Sequence, residues 1–215
     1  MARPCYFVKM VELTRNRRPR RSDGEQTYAA ILDAAVRLAS VEGLSALSIG
    51  RLAQDVGVSK SGLYAHFGSK RQLQLDVIES ARGIFEREVI EPGLGAEAGL
   101  AQLEALCEAY LSYIERWVFP GGCFFAGMLA EFDARSGVPH DAVAEDQREW
   151  VKLLEGIAGE AQQRGELRDD TDAAQLVFDV TAPVQLANYY FVLYRDGTVL
   201  DHARVSIRTA IAAAS

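Results

Sequence analysis

The chain has 215 residues, and its 49% apolar and 25% charged content is typical of a globular protein rather than a disordered one. No apolar run approaches the roughly 18 residues of a membrane span, and no apolar segment follows the basic N-terminus as it would in a signal peptide. The three cysteines, Cys5, Cys107 and Cys123, are odd in number and widely spaced, so they predict neither a disulfide framework nor a CxxC metal knuckle. A reducing, cytoplasmic location with no membrane partner is expected.

The charges are distributed unevenly along the chain. The net charge is −7, yet residues 1–71 hold twelve of the 23 Lys and Arg residues and only six of the 30 acidic residues. A basic first third followed by an acidic remainder indicates that one end of the molecule meets phosphates. Residues 1–22 show no helical period and carry five arginines between Arg15 and Arg21, which predicts a flexible basic arm. Such an arm either enters a DNA minor groove or adds nonspecific affinity.

Four helices are predicted in residues 23–90. From Thr27, apolar residues recur with the period of an amphipathic helix until Gly43. Ser48 and Ser59 are positioned to cap two shorter helices, and residues 69–72 have the pattern of a capping box for a fourth. We therefore expect a compact domain over residues 23–72 and a connecting helix that runs to about residue 90.

The second half of the chain also has helical periodicity. A break is expected at Glu91–Gly95, followed by helices near residues 97–118, 122–134, 139–164, 171–195 and 198–213. No strand-like alternation persists anywhere. The predicted fold is all-α, with an N-terminal three-helix helix-turn-helix DNA-binding domain and a C-terminal helical ligand-binding and dimerisation domain over residues 96–215.

The segment Asp55–Ser59 is the most informative for function. It joins two short helices through Gly57, which tolerates the positive φ of a tight turn, and the result is a helix-turn-helix pattern. The second of these helices presents small, polar and basic side chains that a major groove would admit. An ordinary helical hairpin would have the same pattern, so the pattern alone leaves both interpretations open.

The longer segment Ile31–Gln72 resembles the DNA-binding domain of TetR-family repressors. The resemblance is carried by Ala34-Ala35, Gly43, Leu52-Ala53, Gly57-Val-Ser-Lys-Ser-Gly-Leu-Tyr64, His66-Phe67 and Lys70. It implies that Lys60, Ser61 and Gly62 approach base edges and that Tyr64, His66 and Lys70 contact phosphates. Ser48 and Ser59, at helix starts that attract anions, would add phosphate contacts. Past residue 95 the resemblance rests on helix pattern and length.

An aromatic-rich set in residues 96–215 suggests a cavity for a small, largely apolar effector. Most of these side chains would also be ordinary core of a helical bundle, but bundles build ligand sites between their helices. The resemblance supports such a cavity. The candidate lining residues are Trp117, Phe124, Met128 and Trp150, with Glu131 and Tyr189 as polar anchors.

The last two helices are predicted to form a homodimer interface. Residues 171–195 are apolar nearly all round, which requires cover on both sides, and in the TetR-family repressors the final helices of two subunits pair. The predicted function is a regulator, most simply a repressor, that binds a palindromic double-stranded operator as a homodimer and leaves it when the effector binds.

Two other classes of protein are alternatives. Cys107 and Cys123 could serve a redox- or metal-sensing regulator, although two buried, inert thiols would look the same. An enzyme is disfavoured, because the three histidines are far apart and no HExxH, GxSxG, P-loop or GxGxxG pattern is present. No catalytic residue, cofactor or metal site is predicted.

Overall fold

A computed structural model describes residues 22–215, and these residues form an all-α protein without strands, as predicted. A turn of π-helix at Glu86–Ile90 joins the helix Lys70–Phe85 to the short helix Glu91–Leu94. The helices in chain order are α1 (Ser22–Glu42), α2 (Ile49–Val56), α3 (Lys60–Phe67), α4 (Lys70–Phe85), α5 (Glu91–Leu94), α6 (Leu100–Glu115), α7 (Phe124–Phe132), α8 (Val138–Gln163), α9 (Ala173–Tyr194) and α10 (Thr198–Ala214). The predicted arm of residues 1–22 lies outside the described residues except for Ser22, where α1 begins.

The three predicted serine caps close the starts of α2, α3 and α4. Ser48 Oγ accepts the Arg51 amide at 3.2 Å, and Ser59 Oγ accepts the Gly62 amide at 3.1 Å. Ser69 Oγ accepts the Gln72 amide at 3.1 Å. The Gln72 side chain donates to Asp76 at 2.9 Å instead of returning to the cap, so only half of the predicted capping box is formed.

The predicted break at Glu91–Gly95 is wrong, because the helix that starts at Lys70 continues to Leu94. The backbone widens over Glu86–Ile90, where the Glu91 amide donates to the Glu86 carbonyl five residues earlier. Pro92 has no amide hydrogen, and in a regular α-helix its ring would meet the carbonyl four residues before it. The π-turn that precedes it accommodates the proline, so one long connecting helix joins the two halves of the chain.

The C-terminal half packs α6, α8, α9 and α10 around a buried apolar core, and α9 and α10 make the most extensive helix pair. Arg204 on α10 donates to Glu108 and Glu115 of α6 at 2.9 and 2.8 Å, which ties these two helices at the surface. By length and composition alone α9 could cross a membrane. Its inner face packs on α6, α8 and α10.

Candidate DNA-binding surface and effector cavity

Helices α2 and α3 have the geometry of a helix-turn-helix. Gly57 closes α2 in the left-handed conformation, with φ of 69°, and its amide donates to Ala53. Val56 and Val58 are partly buried on either side of it, and Leu63 of α3 is fully buried. The glycine therefore permits the chain reversal, and the apolar side chains around it hold the two helices together.

Helix α3 buries one edge and exposes the other. Leu63 and Phe67 are buried, whereas Lys60, Ser61 and Tyr64 are exposed, Tyr64 to 55%. Because no acidic residue lies on this eight-residue helix, its outer face is polar and basic. A face of this kind is complementary to the donor and acceptor groups and the phosphates that line a major groove.

The other residues predicted to contact DNA have definite neighbours within the domain. Lys60 leans across α2, where a Cβ added at Gly50 would lie 3.2 Å from its Cε. His66 is half-buried, and its ring centroid lies 6.0 Å from that of Tyr28. Lys70 donates to the Ser45 carbonyl at 2.6 Å. Their contacts with DNA remain predictions.

Glu131 lies at the junction of the two halves of the molecule and not in the aromatic cavity. Its carboxylate accepts the amides of Leu44 and Ser45, both at 2.7 Å, in the loop that follows α1. Gly43 has φ of 87°, and a Cβ there would lie 2.9 Å from Glu131 Oε2. A Cβ at Gly121 would lie 1.8 Å from the backbone oxygen of Ser40. The loop between α1 and α2 is thus held tightly by the C-terminal domain.

An aromatic cavity lies where α4, α6, α7 and α8 meet. Phe85 is at its centre and meets four neighbouring rings edge-to-face: Tyr110 at 5.2 Å between centroids, Trp150 at 5.4 Å, Tyr113 at 5.7 Å and Phe125 at 5.9 Å. The remaining lining residues are Arg82, Val143, Asp146 and Gln147. The free space is only about 30 Å³, on the order of one water molecule. A larger ligand therefore has to part these rings.

Arg82 and Asp146 form the charged wall of this cavity. Arg82 on α4 pairs with Asp146 on α8 at 2.6 Å and also with Glu79. Asp146 Oδ2 is buried without a hydrogen-bond partner. Burial is the main cause that raises the pKa of Asp146 to about 6, and Arg82 opposes the rise. This ion pair links the connecting helix to α8 across the cavity, and one oxygen of its carboxylate remains without a hydrogen bond.

Of the six residues predicted to bind the effector, Trp150 alone lines this cavity. Phe124 is fully buried beneath it, with its ring 5.4 Å from that of Phe125. Trp117 lies under the end of α9, where Arg195 covers its ring at 4.1 Å. Met128 and Glu131 line a groove at the junction with the loop after α1, and the Tyr189 hydroxyl donates to the Ala126 carbonyl at 3.0 Å.

Seven of the eight residues that line the cavity were not among the predicted effector-binding residues. The most informative of the seven are Phe85, Tyr110, Phe125 and Asp146. Phe85 falls on the apolar face of the connecting helix, and Phe125 is adjacent to the candidate Phe124. Asp146 is four residues before Trp150, so the two share one face of α8. That spacing was the only signal that could have found it.

The raised pKa of Asp146 predicts a pH dependence of stability. Between about pH 4 and pH 6 the folded protein holds this proton more firmly than the unfolded chain, so the contribution of Asp146 is present at low pH and lost as pH rises through about 6. Asp146→Asn should flatten this part of the stability curve by on the order of 1–3 kcal/mol. Urea unfolding at several pH values, with Asp141→Asn as the control on the same helix, measures it; identical curves for Asp146→Asn and wild type would contradict it.

Two free thiols are buried in the C-terminal domain. Burial raises the pKa of Cys107 to about 12 and also raises the pKa of Cys123, whose sulfur accepts the Tyr110 hydroxyl at 3.0 Å. A thiol with a raised pKa forms little of the reactive thiolate. No group of three or more metal-ligating side chains occurs within residues 22–215. Cys5 lies outside the described residues.

The outer face of α9 is apolar and uncovered in the single chain. Its inner face is buried through Val177, Val180 and Val184. Large apolar residues on the opposite face remain 41% to 68% exposed: Phe178, Leu186, Tyr189, Tyr190, Leu193 and Tyr194. As predicted, this helix is apolar nearly all round: one apolar face is buried and the other is exposed. A contiguous exposed patch of this kind is typical of a protein–protein contact.

The helix-turn-helix, the long connecting helix and the aromatic cavity together define a DNA-binding protein with a helical sensory domain. Residues 31–77 match the family model described as bacterial regulatory proteins, tetR family, and residues 99–207 match the one described as tetracyclin repressor-like, C-terminal domain. The chain therefore belongs to the TetR family of transcriptional regulators.

Relatives and solved structures agree with this assignment. The chain is 25% identical over 177 residues to the HTH-type transcriptional repressor SCO4008 of Streptomyces coelicolor, covering 80% of this chain and 81% of that one. A shorter match to the regulator AcrR of Shigella flexneri is 36% identical over 62 residues and covers 29% of each chain.

Solved crystal structures with a similar fold include the following two. A TetR regulator from Chloroflexus aurantiacus is 25% identical, with a TM-score of 0.83 over 89% of this chain and 97% of that one. AibR, solved with isovaleryl coenzyme A and operator DNA, is 21% identical, with a TM-score of 0.65 over 82% and 95%.

Proposed function

We propose that the protein is a repressor that binds a palindromic operator as a homodimer and is released by a small effector that enters the aromatic cavity. The observation that carries the proposal is the connecting helix. It begins at Lys70, directly after the recognition helix α3, and it supplies Arg82 and Phe85 to the cavity wall. One rigid element therefore touches both sites.

The DNA-binding part of the proposal rests on the exposed face of α3. Lys60, Ser61 and Gly62 at its start would read base edges, and Tyr64, His66 and Lys70 would hold phosphates. Ser48 and Ser59 stand at helix starts whose amides favour anions. AibR, which shares the fold, was solved on operator DNA, and this supports the same use of the fold here.

The effector part rests on the cavity and on the tightness of its surroundings. A ligand of ordinary size needs about 300 Å³ or more, whereas the cavity is almost closed. Binding must therefore displace α4 or α8, and Phe85, Arg82 and Asp146 join these two helices across the cavity. Because Lys70 and Gln74 of α4 donate to the loop after α1, movement of α4 reaches the DNA-binding domain.

Two copies of the chain would pair through α9 and α10, which leaves two recognition helices facing successive turns of the major groove. A cytoplasmic location follows from this function, since operator DNA and a reducing environment are found there. The redox- or metal-sensing alternative is disfavoured by the buried, high-pKa thiols of Cys107 and Cys123.

A paired measurement of stability and operator release tests the proposal. A compound that enters the cavity should raise the melting temperature through the mass-action term and should lower operator affinity at the same concentrations. Trp150→Phe and Phe125→Leu should change the compound concentration needed for half-maximal operator release at least tenfold. The operator affinity of the unliganded protein should stay unchanged. Tyr189→Phe, outside the cavity, is the control.

The proposal fails if stabilisation and release are separable. Compounds that stabilise the protein but never release DNA would show that the cavity is not connected to the operator site. Equal effects of Trp150→Phe and Tyr189→Phe would place the effector elsewhere.

A further inference from the structure

The charge of the aromatic cavity indicates which ligands it favours. Asp146 and Glu79 both pair with Arg82, so two carboxylates share one guanidinium. Asp146 is the one acidic residue among those that line the cavity. Its Oδ2 is buried and has no hydrogen-bond partner. An anionic ligand would meet this unsatisfied carboxylate oxygen, whereas an ammonium group would donate a hydrogen bond to it.

The rings of the cavity favour the same sign of charge. An aromatic ring is negative at its face and positive at its edge, so edge-to-face contacts place a positive edge on a negative face. Phe85 meets Tyr110 and Trp150 in this way, with interplanar angles of 84° and 85°. A ligand that separates these rings removes the positive ring edges from the negative ring faces. An ammonium group placed over such a face replaces the lost edge with a full positive charge.

We propose that this cavity binds the ammonium group of a small organic cation, with Asp146 as its counter-ion and the rings of Phe85, Tyr110 and Trp150 around it. The inference rests on the proposed function, because it names the chemical class of the effector. The partly exposed members of the wall give the side from which the ligand enters, and they are Arg82, Phe125, Asp146 and Gln147.

The cation also has a direct route to the connecting helix. It competes with Arg82 for Asp146 and so weakens the ion pair between α4 and α8. The contact of Arg82 with Glu79 lies within α4 and does not link these two helices. A positively charged ligand would therefore change how firmly α4 is held against α8.

A matched series of ligands tests the proposal. 2-Phenylethylamine, 2-phenylethanol and phenylacetate share a phenyl ring and a short chain and differ in charge. Calorimetric titration of the full chain at about pH 7.5, where the amine is protonated and the Asp146 carboxyl is ionised, compares them. We expect the amine to bind at least tenfold more tightly than the alcohol, and phenylacetate to bind most weakly.

Two variants locate the effect at Asp146. Asp146→Asn should remove the preference for the amine over the alcohol, and Asp146→Glu should retain it. Asp141→Asn removes an exposed carboxylate from the same helix and should leave the preference unchanged. If Asp146→Asn does not fold, the wild-type ligand series still decides the question.

Tighter binding of phenylacetate would overturn the inference in favour of Arg82 as the charged anchor. Equal affinities for amine and alcohol, or no binding of any of the three, would also overturn it. Operator binding is measured in parallel on the unliganded protein. Release of operator by the alcohol or by phenylacetate would leave the proposed function standing, whereas absence of operator binding without ligand would contradict the proposed function itself.

Discussion

Leu186→Asp is expected to yield a folded monomer that no longer holds operator DNA. Leu186 lies midway along α9 and is 51% exposed in the single chain, so the substitution leaves the subunit core intact. In a symmetric dimer each copy contributes the same carboxylate to the interface, and each buried, unpaired charge costs several kcal/mol. The dimer dissociation constant should rise at least a hundredfold, and sedimentation velocity at micromolar concentration measures it.

Two further variants control this experiment. Leu186→Met keeps an apolar side chain of similar size and should remain dimeric. Val184→Asp places a charge on the inner face of the same helix, where Val184 is 2% exposed, and should unfold the subunit instead of splitting the dimer. A wild-type protein that sediments as a monomer, or a Leu186→Asp protein that stays dimeric, would contradict the assignment of this face.

Lys60→Ala should change which bases the protein prefers, whereas Tyr64→Phe should weaken binding to all sequences alike. Both side chains are exposed on α3. We propose that Lys60, at the start of the helix, approaches base edges and that Tyr64 contacts a phosphate. A base contact is worth about 1–3 kcal/mol of discrimination, or roughly 5- to 150-fold. Binding assays on the operator, on single-base variants and on random DNA separate the two outcomes.

Lys70 provides an ionic contact for comparison. Lys70→Ala should reduce affinity on specific and random DNA equally and should lower the slope of log K against log salt concentration by about 0.9. Lys70 also donates to the Ser45 carbonyl, so the substitution removes a contact within the domain. The melting curve of the Lys70→Ala variant is therefore recorded beside the binding data. If Lys60→Ala leaves the base preferences unchanged, the recognition helix has been misassigned.

The N-terminal domain was predictable because its signals are local. Ser48, Ser59 and Ser69 each cap the helix that follows them, and Gly57 adopts the left-handed turn that its position indicated. Such features depend on residues within one helical turn of each other. The exception is Pro92, which was expected to end a helix. Whether a proline breaks a helix or sits behind a wider turn depends on how the surrounding helix is packed.

The cavity was less predictable because it depends on which distant rings meet. Trp150, Phe124 and Phe125 all look like core in the sequence, and only packing places Phe124 beneath the cavity and Phe125 in its wall. Glu131 illustrates the same limit. Its partners Leu44 and Ser45 are more than 80 residues away along the chain, so no spacing rule connects them.

Selection of bound fragments from a random DNA library tests the central claim most directly. We expect enrichment of a near-palindrome whose half-site centres lie about one helical turn, or roughly 34 Å, apart. We also expect that Lys60→Ala selects a different consensus and that the Leu186→Asp monomer selects none. Enrichment of no sequence by the wild-type protein, with only salt-sensitive binding to all DNA, would contradict it.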